Sequence, residues 1–252
     1  MYSPIELLLD PVSLVIIGMY ALLWLWESFR PARQLPKVKF WKLKGITAFA
    51  VFFYLSSYLP ILVDPLLERV RLFDLSSIGV LPGALVGVFL YELLLYFWHW
   101  AIHKFDFLWR VFHQMHHSAE RLDTVGAFFF SPMDMIGFTL IGSICFALLI
   151  GLSPQAITVV LLTTNFFSIF QHANIKTSHW LGYFIQRPES HSIHHAKGIH
   201  RYNYADIPVF DMLFGTFINP KSYEKETGFY VGASSRIWEM LAFKTVDKPP
   251  KQ

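Results

Sequence analysis

The chain is poor in cysteine and in charge. A single cysteine, Cys145, stands among 252 residues. That excludes a disulfide framework, a thiolate-held iron–sulfur cluster and a CxxCH haem attachment. Cys145 lies in an apolar run and reads as a small buried hydrophobe. Charged residues make up only 15% of the chain, against about 25% in average globular proteins. No GxGxxG fingerprint occurs, so the chain carries no nucleotide-binding signature of its own. There is no basic stripe, and the formal net charge is only +3. Both set nucleic acid aside as a partner. The first 29 residues contain no Lys or Arg and no small-residue cleavage site, so they read as a retained membrane span rather than a secretory signal.

What the chain has instead is apolar surface. Hydrophobic residues reach 54% and aromatics 17%, with a mean hydropathy of +0.41. A spanning helix needs about 20 mostly apolar residues. Five stretches come close: 11–27, 46–66, 79–98, 134–152 and 155–172. The second is interrupted by Pro60 and Asp64, which predicts a kink or a partly interfacial course. The last two are joined by GLSPQ, a tight hairpin turn. The expected fold is an all-α integral membrane protein with four or five transmembrane or re-entrant helices.

Charge sets the expected orientation. Loop 28–44 carries six Lys/Arg, whereas residues 1–10 and GLSPQ carry none. The positive-inside rule puts that loop in the cytoplasm. Five crossings then put 99–124 and 173–252 there too, as a cytoplasmic helical cap.

All eleven histidines lie between His99 and His200, in this topology on one membrane face. They form four clusters: His99-x-x-x-His103, His113-x-x-His116-His117, the single His172, and His191-x-x-His194-His195. On a helix, residues i, i+3 and i+4 share a face. HxxxH therefore projects two imidazoles in one direction and HxxHH three, each a partial metal shell. Nine histidines suit two ions with four or five each. The near absence of carboxylates disfavours magnesium and calcium. Iron, copper, zinc and nickel stay open on ligand chemistry alone.

The order HxxxH, HxxHH, QHxN, HxxHH, with LWRVFHQMHHS, FQHANI, RPESHSIHH, YNYAD and FDMLFGTF, resembles the fatty acid hydroxylase/sterol desaturase superfamily of membrane non-haem di-iron enzymes over about residues 85–220. The resemblance implies two irons, replaceable by zinc, held by His99, His103, His113, His116, His117, His172, His191, His194 and His195. His179 and His200 are secondary candidates. It also implies O2 activation for hydroxylation or desaturation of a lipid. The family's first box usually continues His-Arg; here Trp100 follows His99.

Glu92 lies seven residues, about two helical turns, before His99. An acid at membrane depth is a functional candidate, and it is expected to accept the distal N–H of a ligand histidine. Tyr96, Asn203, Tyr204 and Asp211 are further supporting candidates. Asp134 reads as a helix-start residue. The Phe-rich GAFFFS is expected to pack helices or line a lipid cavity. The expected organisation is an anchor over 1–80, a catalytic domain over 81–220 and a cytoplasmic tail over 221–252.

The function expected from these residues is a membrane oxygenase acting on a lipid: fatty acyl, sterol-like, or another isoprenoid or ether lipid. Each turnover needs two external electrons, so a separate reductase, ferredoxin or cytochrome is the expected partner. Two other classes fit part of the pattern. A di-zinc lipid hydrolase would turn over without O2 or reductant. A metal transporter or sensor would need polar residues through its spans, and apart from Glu92 the span centres are almost free of charge.

Overall fold

In the computed structural model, which describes residues 2–249, the protein is mostly helical. The short α1 (Pro4–Leu8) is closed by a capping box between Ser3 and Glu6. It leads into α2 (Pro11–Phe29), which starts at the Asp10 cap with Pro11 in its first turn. Then come α3 (Trp41–Leu67) and α4 (Val80–Lys104). The segment after α4 is built from α5 (Asp106–Leu108), a π turn over Trp109–His113 and α6 (Gln114–His117). Next are α7 (Pro132–Ser143), extended by a π turn to Leu149, and α8 (Pro154–His172). Both begin with a Ser cap and a proline. The chain closes with α9 (Pro188–His194), α10 (Val209–Phe214) and α11 (Ile237–Leu241).

Four helices are long and apolar enough to cross a membrane: α2, α3, α4 and α7 with its extension. The stretch 155–172 does form a helix, α8, but it carries Thr163, Thr164, Asn165 and Gln171 and falls outside those four. The stretch marked by Pro60 and Asp64 is one helix; α3 runs on through Pro60 and Pro65. Pro60 leaves the Ser56 carbonyl without its helical N–H partner, and Ser56 and Ser57 donate to the Phe53 carbonyl, two turns before the proline.

Two short strands, β1 (Phe73–Asp74) and β2 (Ile150–Gly151), pair in parallel. They tie the α3–α4 loop to the α7–α8 turn at the ends of the helices remote from the histidines. At the opposite ends, buried Glu27 on α2 accepts from Thr124 N and Oγ1 and from Asn174 N. One carboxylate oxygen thus binds the first span to the segments on either side of α7 and α8.

Residues 221–249, expected as a tail, pack onto the histidine-bearing segment. Met240 and Val246 are buried with Trp41 and Met115. Gln114 donates to the Lys244 carbonyl at 2.9 Å and accepts from Val246 N. Glu120 accepts from Gly232 N at 2.7 Å.

Candidate metal centre

The nine clustered histidines come together at one end of the helices. His99 and His103 occupy the last turns of α4. His113 ends the π turn after α5, and His116 and His117 lie on α6. His172 closes α8. His191 and His194 lie on α9, with His195 as its C-cap.

They divide into two sets. His99, His103, His113, His117 and His194 place one ring nitrogen each within 4.8 Å of one another. His116, His172, His191 and His195 do the same. The sets touch: the His117 and His195 rings stack at 4.2 Å between centroids. This corrects the expectation that each HxxHH box points three imidazoles one way. The i, i+4 pairs stay together (99/103, 113/117, 191/195), whereas the i+3 member, His116 or His194, joins the other set. At 3.6 residues per turn, positions i+3 and i+4 differ by about 100° around the axis, enough to send them to different ions.

Outer hydrogen bonds fix the tautomers. His99 Nδ1 donates to the Tyr204 carbonyl at 2.7 Å, His194 Nδ1 to the Tyr202 carbonyl at 2.7 Å and His172 Nδ1 to the Ser168 carbonyl at 2.6 Å. His113 Nδ1 lies 2.7 Å from Asp134 Oδ2. A carbonyl or carboxylate only accepts, so these Nδ1 atoms carry the proton and the Nε2 atoms carry lone pairs. His99 Nε2 and His113 Nε2 nevertheless lie 3.0 Å apart, with no proton to share. In the second set, His172 Nε2 lies 3.1 Å from both His116 Nε2 and His191 Nε2. Buried Nε2 atoms of His103, His117 and His194 have no hydrogen-bond partner among the described residues. Facing lone pairs and orphaned ring nitrogens suit a cation between them. Nitrogens bound about 2.1 Å from one ion at roughly right angles would lie about 3.0 Å apart. The residues therefore fit a pair of metal ions.

Burial, and then neighbouring imidazoles, hold His113, His116, His117, His191, His194 and His195 well below the ordinary histidine range. They are neutral at pH 7. The unfolded chain takes up protons below about pH 6.5 that these folded rings refuse. Asp206, pushed up to about 7 by burial, and Asp211, also pushed up by burial, act in the opposite sense, but they are two carboxyls against these six imidazoles. Chelator-stripped protein in detergent is therefore expected to lose stability as pH falls from about 6.5 to 5, which a series of thermal melts will show.

Of the supporting candidates, Tyr204 meets a histidine through its backbone carbonyl, whereas Glu92 meets none. Glu92, fully buried, accepts from Asp206 N at 2.8 Å and Ile207 N at 3.3 Å, and no histidine donates to it. It caps the loop after Tyr204 because that loop presents unpaired N–H groups where α4 passes. Asp211 accepts from Tyr204 N and Ala205 N, fixing the carbonyl that His99 uses. Asn203 stitches Ser190 O and Ile218 together. Tyr96 bonds Thr216 Oγ1 at 3.1 Å, which in turn donates to Asp211. The carboxylate that does hold a histidine is Asp134. Its place in the first turn of α7, behind the Ser131 cap, masks that role in the sequence. His200 meets His117 nitrogen to nitrogen at 3.1 Å but belongs to neither set. His179 lies apart from both, against the Asn219 carbonyl.

A cavity of about 70 Å³ adjoins both sets, touching His99 and His113 of one and His116, His172 and His191 of the other. Its apolar wall includes Phe52, Tyr91, Leu95, Phe128, Phe130 and Phe138. Of the GAFFFS phenylalanines, two line it, while Phe129 packs on Trp41.

The fatty acid hydroxylase family model matches residues 84–216, which contain all nine histidines of the two sets. An ornithine lipid hydroxylase of Rhizobium tropici is 30% identical over 139 residues, covering 54% of this chain and 41% of that protein. The chain thus spans about two fifths of the length of this curated relative. No solved structure matches. With more than half of the chain, from α4 to the end of α10, matching one family and carrying both histidine sets, the protein belongs to the fatty acid hydroxylase family.

Proposed function

We propose that the protein is a membrane-bound, O2-dependent di-iron oxygenase that hydroxylates a C–H bond of a lipid. The observation that carries this reading is the pair of all-histidine sets opening onto one apolar, aromatic-walled cavity. Two bound irons would supply the O2 chemistry, which nine neutral imidazoles cannot perform themselves. The overall change balances as C–H plus O2 plus two electrons and two protons giving C–OH and water.

The chain's own residues position and protect. Tyr204, Tyr202 and Ser168 carbonyls and Asp134 orient four imidazoles. Phe52, Phe128, Phe130 and Phe138 give the cavity an apolar wall for a hydrocarbon segment, beside the polar Ser168, Gln171 and Asp206. With no nucleotide fingerprint and one buried cysteine, the electrons come from a separate reductase, ferredoxin or cytochrome. The basic loop 28–44 supports a cytoplasmic histidine face, where such a donor can reach it. The family and the relative's name support a lipid substrate, and an ornithine lipid is a reasonable first compound to assay.

The test is purified protein in lipid nanodiscs with ferrous iron, a reductase system, an ornithine lipid and 18O2. The expected result is two irons per chain and one 18O atom in the hydroxylated lipid, dependent on reductant. Lipid cleavage without O2 or reductant, by zinc-loaded protein, would instead identify a di-zinc hydrolase.

A further inference from the structure

A second apolar surface lies outside the four spanning helices. It is formed by the turn His179–Tyr183 with Phe184, and by α10. Trp180 is 63% exposed, Phe184 67% and Leu213 71%, and Tyr183, Met212 and Phe214 are also exposed. A soluble face would break such a run with charge. Residues 177–186 contain no Lys, Arg, Asp or Glu, and 207–219 contain only Asp211. Asp211 is turned inward and taken up by Tyr204 N, Ala205 N and Thr216 Oγ1.

The two stretches form one surface. His179 and Asn219 exchange hydrogen bonds with each other's carbonyls, and Tyr183 packs on Phe217. The surface also continues the flank of α4. Phe214 meets Phe97 at 5.2 Å and Phe210 meets Phe89 at 6.4 Å, and both α4 phenylalanines are themselves about half exposed. The lipid around a spanning helix therefore has an unbroken apolar path onto α10. Exposed Lys176, Arg201 and Lys221 border the two stretches in sequence, as cations border a helix lying in the headgroup region.

We infer that α10 and the Trp180–Phe184 turn are a membrane-interface anchor, seated in the leaflet that borders the histidine end of α4. The occupant is the bilayer itself, because the surface is continuous with a lipid-facing span. Tryptophan and tyrosine are favoured at that depth. The inner side of the same helix carries Asp211, which fixes the Tyr204 loop and through it His99. Lipid thus covers one side of a short helix whose other side holds a histidine in place. This inference does not depend on the metal or the reaction.

The lone buried cysteine makes the test clean. In a Cys145→Ser background, Leu213→Cys and, separately, Trp180→Cys would be nitroxide-labelled in nanodiscs of phosphatidylethanolamine and phosphatidylglycerol. Leu85→Cys on the exposed flank of α4 and Lys225→Cys on a polar loop serve as references. At both test positions, collisions with O2 relative to a water-soluble nickel chelate should exceed the Lys225 ratio several-fold and approach the Leu85 value. Ratios equal to that at Lys225 would overturn the inference. So would spin–spin broadening at Leu213 that disappears on dilution with unlabelled protein, because the face would then join two copies of the chain.

Discussion

His116→Ala is expected to abolish lipid hydroxylation and to cut bound metal to about half. His116 is one of four histidines in its set, and its Nε2 lies 3.1 Å from that of His172. Three remaining imidazoles leave an ion short of the ligands its site supplies, and the other set, with five histidines, stays intact. The loss should therefore fall on one ion, and the proposed two-metal chemistry should stop entirely. Metal analysis and product assay on the same preparation check this. His179→Ala is the matched control, because His179 belongs to neither set; it should keep both ions. Full activity in His116→Ala would sink the ligand assignment.

The next largest effect is expected from Asp134→Ala. The Asp134 carboxylate, fully buried in the first turn of α7, is the partner of His113 Nδ1 at 2.7 Å. Removing it strands a buried imidazole N–H, at a cost of about 1–3 kcal/mol, and frees the ring to rotate or change tautomer. Loss of such an outer partner typically lowers metal affinity or activity by about 10–100-fold. Asp134→Asn, whose amide oxygen can still accept, should recover part of it. Metal titration by competition with a chelator, alongside the product assay, separates the two effects. Glu92→Gln is the instructive contrast. Glu92 accepts only backbone N–H groups of Asp206 and Ile207, so that change should lower thermal stability more than metal affinity.

These outcomes turn on which residues the sequence exposes to reading. Hydropathy is a local property, and the four helices long and apolar enough to cross a membrane are legible in it, among the five stretches it marks. The continuation of α3 past Pro60 is not, because it depends on the packing around the proline. Histidine spacing is local too, so eight of the nine histidines brought together here can be picked out by their boxes alone, and the single His172 by its FQHANI match. His179, seven residues beyond His172, lacks such a box and lies apart from both sets.

The sequence by itself therefore determined the membrane helices, the family and the nine clustered histidines. Only the tertiary structure decided how they divide, five and four, and what holds them. The division arises because neighbouring positions on one helical turn point about 100° apart, and which direction meets which partner depends on how the helices pack. The outer partners are three backbone carbonyls and one carboxylate at a helix start. Every residue has a carbonyl, so Tyr204 reaching His99 across 105 positions leaves no mark in the chain's order. Glu92 and Asp134 show the same rule for acids. Both are carboxylates near histidines, and only the packing of α4 and α7 decides that Asp134 meets an imidazole while Glu92 meets the backbone.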